Sequence, residues 1–322
     1  MYETGGWHRP DITRRKAAPY IVNGFLFLLL LLLIVFSDRI TASIREAMLL
    51  CATCVIPALF PFMILSDALL AAPQPQGKDH RALRWLMRRF GANASGLKVL
   101  FLSFLCGFPV GTKMVCDLYS QRRLSRRQAE HLLRFCNNAG PGFVMITVGG
   151  IRGALRDGIL LYLIQIIAAC VCGLLLAQRI HPDEILSEPI GDDSPPAFSL
   201  SASVRKSAAA LLEITAFIAF FSMLCEILCA YSRSPFLRTA VASLLEITNG
   251  IRAGAALSHE HPLFSFCASA AAVNFSGLSV HLQASAFIRR TDLLPRGCLL
   301  AKMLQAAISL PLAALCYFMI LC

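Results

Sequence analysis

Apolar residues in this chain gather into long runs separated by short polar loops. Four runs, Ile21 to Phe36, Ala47 to Ser66, Ile159 to Gln178 and Leu299 to Cys322, carry little or no charge and approach the ~20 residues that a membrane-spanning helix needs. Four more, near 99–116, 135–151, 208–231 and 263–288, are interrupted by Gly, Pro, Asn or charge. A strict two-residue alternation, the mark of a membrane β-barrel, is absent, so the spans are predicted to be helical. Two segments have the pattern of helices that enter the bilayer and turn back. One is Val99 to Cys116, broken by Gly107-Phe-Pro-Val-Gly111, and the other is Thr239 to Leu257, broken by Thr248-Asn-Gly250.

Composition agrees with this reading. With 57% hydrophobic and 15% charged residues among 322, and a mean hydropathy of +0.64, the chain is too apolar for an ordinary soluble domain. The fold class expected is an all-α polytopic membrane protein. The net charge of +11 is not read as a nucleic-acid surface, because Lys and Arg fall in short loops between apolar runs, as the positive-inside rule requires.

Charge placement also orients the chain. The residues before 20 form a basic cytoplasmic tail, and 21–40 holds a first helix that is retained rather than cleaved. Basic loops at Lys78 to Lys98 and Arg122 to Arg134 flank 99–116 on both sides, so that segment must return to the side it left. Two half-helices of about nine residues can do so, whereas the segment is too short to cross twice. A Pro-, Ser- and acid-rich stretch at 179–207 reads as a polar linker between a first membrane repeat, 41–178, and a second, 208–322. The halves are expected to have inverted topology, each with one re-entrant helical hairpin, a common plan for secondary transporters.

Lys113 follows the first turn within an otherwise apolar segment, where a charge costs ~2.5–3.5 kcal/mol at a helix centre. Beside the N-terminus of a half-helix begun at Gly111, it is read as a counter-charge for an anionic substrate group. The bland alternative pairs it with Asp117 one turn on. Glu246 and Arg252 flank Asn249 in the second turn and form either a clamp across it or part of a binding site. Asn137, Asn138 and Asn274 sit beside helix breaks, where an amide satisfies freed backbone or meets a polar ligand. Ser276, His281 and Gln283 complete the expected substrate-binding set, with an interhelical hydrogen bond as the alternative for the last two. Glu213 and Glu226, within one apolar helix and outside the core site, are candidates for a coupling proton, with pairing to Arg205 or Lys206 as the alternative for Glu213; Pro57 and Pro61 are expected to kink their helix.

Other chemistries fit poorly. Most of the 13 cysteines lie in apolar runs where thiols serve as packing residues, and no second Cys or His pair completes Cys51-Ala-Thr-Cys54 as a metal site. His259-Glu-His261 departs from the metalloprotease pattern. No enzyme activity, cofactor or metal is expected, and the expected partners are a small anionic substrate, the lipid bilayer and a possible second copy of the chain.

Pro57-Ala-Leu-Phe-Pro-Phe-Met-Ile-Leu65, Gly107-Phe-Pro-Val-Gly-Thr-Lys113, Asn137-Asn-Ala-Gly-Pro141, Leu245-Glu-Ile-Thr-Asn-Gly250 and Gly277-Leu-Ser-Val-His-Leu-Gln283 together resemble the YlbJ (SpoVV) group of sporulation integral membrane proteins, in order from about residue 41 to 320. The resemblance implies a nucleoside-recognition or Gate-type membrane domain, related in outline to concentrative nucleoside transporters. It further implies transport of dipicolinic acid, a small aromatic dianion, across the outer forespore membrane of a sporulating cell. The alternatives are transport of a nucleoside or other metabolite, and a non-transporting structural role in the sporulation envelope.

Overall fold

The computed structural model describes residues 12–72, 81–177 and 198–321, and every regular element among them is a helix. Helix α1 is Ile12–Val35. The long helix α2, Ser37–Ala71, contains a π-helical turn at Cys51–Val55, immediately before Pro57 removes a backbone donor. Then follow α3 (Arg81–Phe90), α4 (Ala94–Cys106), α5 (Val110–Ser120) and α6 (Arg126–Leu132). An irregular stretch leads into α7 (Gly142–Arg152) and the straight α8 (Leu155–Leu175). The remaining elements are α9 (Leu200–Cys229), α10 (Pro235–Leu245), α11 (Ile247–Ala255), α12 (Pro262–Phe275), α13 (Gly277–Ile288) and α14 (Cys298–Leu321).

Among the described residues, five helices or end-to-end helix pairs are long and apolar enough to cross a membrane: α2, α8, α9, α12 with α13, and α14. The chain is a multi-pass membrane protein. Its surface is correspondingly apolar, with Leu28, Ile34, Ile146, Leu212 and Met319 among many exposed large side chains. Polar groups are gathered inside, where Asn138, Gln165, Ser269, Asn274 and Gln305 are fully buried. That inversion follows from the solvent, since lipid offers no hydrogen bonds to an outward amide.

Several boundaries differ from those read in the sequence. The segment at 99–116 becomes two longer helices, α4 and α5, joined by Gly107 to Pro109 with a cis Phe108–Pro109 bond. Helix α9 starts at Leu200, so the last residues assigned to the polar linker are helical; its residues 179–197 lie outside the described residues, as do 1–11 of the basic tail. The second tip falls at Glu246, not at Thr248-Asn-Gly250, which forms the opening of α11. Asn-Gly is a strong turn signal, but the Glu246 carboxylate accepts from the Asn249 amide at 2.9 Å and caps the helix earlier. Gly250 serves close packing instead: a Cβ there would lie 2.5 Å from Ser243 Cα on α10.

Each tip rests on the break of a following helix pair. Gly107, at φ +78°, lies against Gly140 so closely that an added Cβ would sit 2.9 Å from the Gly140 nitrogen. Gly277, at φ +70°, faces Leu245 to Ile247, where an added Cβ would be 3.2 Å from the Ile247 nitrogen. Only glycine adopts such angles cheaply and allows this approach.

Candidate functional site

Both tips, the first break and α13 border one narrow cavity of about 30 Å³, walled by Phe108, Gly140, Phe143, Glu246, Thr248 and Gln283 together with aliphatic side chains from α2 and α9. Residues at or near the starts of four helices border it: Phe108 precedes α5, Phe143 lies in the first turn of α7, Ile247 and Thr248 open α11, and Val280 is the fourth residue of α13. Each helix N-terminus carries the equivalent of roughly half a positive charge. Glu246 is the one ionisable residue on the wall and is 1% exposed. Its carboxylate is directed at the start of its own helix.

The wall is otherwise apolar, and two of its rings, Phe108 and Phe143, lie 6.1 Å apart. An apolar lining with a few polar groups is the kind that meets small organic molecules.

Behind the cavity, the unwound backbone is held by buried amides. Gln165 on α8 accepts from the Ala139 nitrogen at 3.0 Å and donates to the Ala139 carbonyl at 2.9 Å. Gln305 on α14 donates to Asn138 Oδ1 and Asn274 Oδ1 at 3.1 and 3.0 Å, tying the two breaks together. Lys302, one turn earlier, donates to Asn138 Oδ1 at 3.1 Å and to Gln305 Oε1 at 2.9 Å. Asn138 also donates to the Phe135 carbonyl and Asn274 to the Ala270 carbonyl, so both asparagines serve backbone and network together.

The residues expected to bind substrate therefore separate into groups. Glu246 and Gln283 reach the cavity wall, and Asn138 and Asn274 stand one layer behind it. Asn137 is buried with its Oδ1 unpartnered among the described residues. Asn249 donates to Ser222 Oγ on α9 at 2.9 Å. Ser276 occupies the turn between α12 and α13 at φ +76°, and His281 is hydrogen-bonded to the Phe275 carbonyl at 3.1 Å. Gly111 is a packing residue, since a Cβ there would lie 1.7 Å from the Cys136 carbonyl oxygen.

Three charged side chains have partners distant in sequence, and Lys113 also makes the Asp117 pair that its spacing offers. Lys113 is ion-paired to Asp67 at 2.5 Å and Asp117 at 3.0 Å, so its charge is balanced within the protein. It lines a second cavity with Lys206, Glu213 and Arg290, away from the tips. Arg252 does not clamp Glu246; it reaches Glu46 on α2 at 2.8 Å, and both ends of that pair are exposed. Glu213 is closest to Arg290, at 3.9 Å, rather than to Arg205 or Lys206.

Sequence reasoning overlooked Asp67, Gln165, Lys302 and Gln305. A signal existed for each, because an ionisable or amide side chain inside an apolar helix needs a partner to be tolerated.

No family model matches the chain, and no solved structure resembles it at a significant level. Among curated proteins, it is 24% identical over 295 residues to the sporulation integral membrane protein YlbJ of Bacillus subtilis (strain 168), covering 78% of this chain and 71% of that protein. The chain is thus similar, over most of its length, to a sporulation integral membrane protein, in keeping with its multi-pass helical architecture.

Proposed function

We propose that the chain is a membrane transporter that moves a small organic anion through the cavity between the two helix-pair tips, with dipicolinate as its substrate. The single observation that carries this reading is one largely apolar cavity bordered by both helix-pair tips and by residues at or near the starts of four helices. Their combined field favours an anion, and the apolar wall with its two phenyl rings suits an aromatic one. Glu246 adds a negative charge to the wall, but the carboxylate is engaged by the Asn249 amide, which leaves the other three N-termini for a ligand. The recurring order of elements, a long helix, a short pair, a broken pair and a long helix, supports two halves of inverted topology around that site.

A second reading, a nucleoside or similar neutral metabolite, is favoured by the hydrogen-bonding groups of Glu246, Thr248 and Gln283 on the same wall. Uptake of labelled dipicolinate into proteoliposomes, with nucleosides as competitors, separates the two. The companion variant is Val280→Trp, which fills the cavity. Dipicolinate uptake by the native chain and its loss in a folded Val280→Trp protein are the expected results. Equal uptake by both would remove the cavity from the pathway, and nucleoside uptake alone would replace the substrate.

A further inference from the structure

Lys302 is a buried basic residue for which the reading above has no use. It is 3% exposed, it lies on the last membrane-spanning helix, and no ion pair involves it among the described residues. Its two acceptors are Asn138 Oδ1 and Gln305 Oε1. Among the described residues, the charged or titratable groups acting on it are thiols and an imidazole, with no carboxylate. The break turns Cys136 toward it, α8 brings Cys172, α14 itself brings Cys298, and α13 brings His281; α12 contributes the amide of Asn274, reached through Gln305.

Donor counting decides which form this site suits. A neutral amine has two N–H groups, and two acceptors are present. An ammonium would bring a third N–H and a full charge into the membrane interior without a counter-ion, at a cost of several kcal/mol. Buried lysines lose their proton readily for this reason. The balance changes when an anion enters the cavity, because Gly140 on its wall is only two residues from Asn138, which holds the amine.

We propose that Lys302 is a proton-binding site coupled to anion loading, neutral when the cavity is empty and protonated when an anion occupies it. The proton comes from solvent and adds to the Nζ lone pair, and it leaves when the anion does, so the chain carries an anion and a proton together. Asn138 and Asn274, joined through Gln305, connect that protonation to both helix breaks. This inference rests on the anion-transport reading and adds the coupling ion to it.

The test is the heat of dipicolinate binding to the purified full-length chain, measured near neutral pH in buffers of different ionisation enthalpy. The native protein is expected to take up close to one proton per dipicolinate bound, and Lys302→Gln and Lys302→Met proteins to take up none. Binding heats that do not depend on the buffer in the native protein overturn the inference without needing any variant. Proton uptake that survives in either folded variant also overturns it. Absence of dipicolinate binding by the native chain overturns the transport reading and this inference with it, whereas binding without proton uptake overturns this inference alone.

Discussion

Gln165 is the side chain on which the first helix break most directly depends. Between α6 and α7 the backbone leaves helical geometry, so its N–H and C=O groups lose intrahelical partners, and around Ala139 no lipid or bulk water replaces them. Gln165 and Ala139 are 0% and 1% exposed. The amide answers both groups of Ala139, at 3.0 and 2.9 Å. Gln165→Met keeps the length and volume and removes both bonds. It leaves two buried backbone groups unsatisfied at about 1–3 kcal/mol each, or roughly 2–6 kcal/mol in all. Gln165→Glu as a protonated acid still accepts from the Ala139 nitrogen and donates to the Ala139 carbonyl, so it should be less harmful than Gln165→Met. Denaturant unfolding in mixed micelles reads the loss. A Gln165→Met protein within about 0.5 kcal/mol of the native chain, the range of an inert surface change, would refute the claim that this break is held by side-chain capture.

Other expectations follow from the same contacts. Lys113→Met should destabilise the protein by leaving the Asp67 charge partly buried, and Asp67→Asn in the same chain should recover part of that loss, with a coupling of about 0.5–3 kcal/mol in a double-mutant cycle. Gly111→Ala should fail to yield folded protein on size exclusion, since its Cβ would meet the Cys136 carbonyl at 1.7 Å. Gly150→Ala meets nothing within 4 Å and should be neutral or gain up to about 1 kcal/mol from helix propensity. His131, on α6 outside the spanning segments, is 1% exposed and is held down to about 4 from an ordinary 6.5 by burial and, secondarily, by the charge of Arg134. Its contribution is complete above 6.5 and is lost as pH falls toward 4, about 3 kcal/mol in total. Thermal unfolding across that range should therefore be flatter in His131→Leu.

Helix content and most of the helix breaks are legible in the sequence, for a physical reason. Lipid exposure forces long apolar runs, and a run interrupted by Gly107-Phe-Pro-Val-Gly111 or by Asn137 to Gly142 cannot stay helical through the interruption. Partners are far less legible. Periodicity exposes Asp117 as a neighbour for Lys113 because it lies four residues on, but Asp67, 46 residues away, becomes its partner only once α2 packs against α5. Arg252 and Glu46 are 206 residues apart, whereas Glu246 is near in sequence and directed elsewhere. Local spacing reveals neither of these distant partners.

Lys302 shows the opposite failure. It stands in a run whose overall hydropathy is so high that one lysine scarcely lowers it, and a span chosen for low charge hides its single charged residue. Local patterning cannot reveal what that charge does, since its acceptors come from Asn138, 164 residues earlier, and from Gln305, one turn along α14. Composition and spacing report which residues lipid tolerates; which polar group faces a ligand and which supports a helix break depends on packing between distant segments. In this chain that packing balances Lys113 with two carboxylates and gives Lys302 none. The buried basic residue left without a counter-charge among the described residues is therefore the one deep in the last helix, not the one beside the first turn.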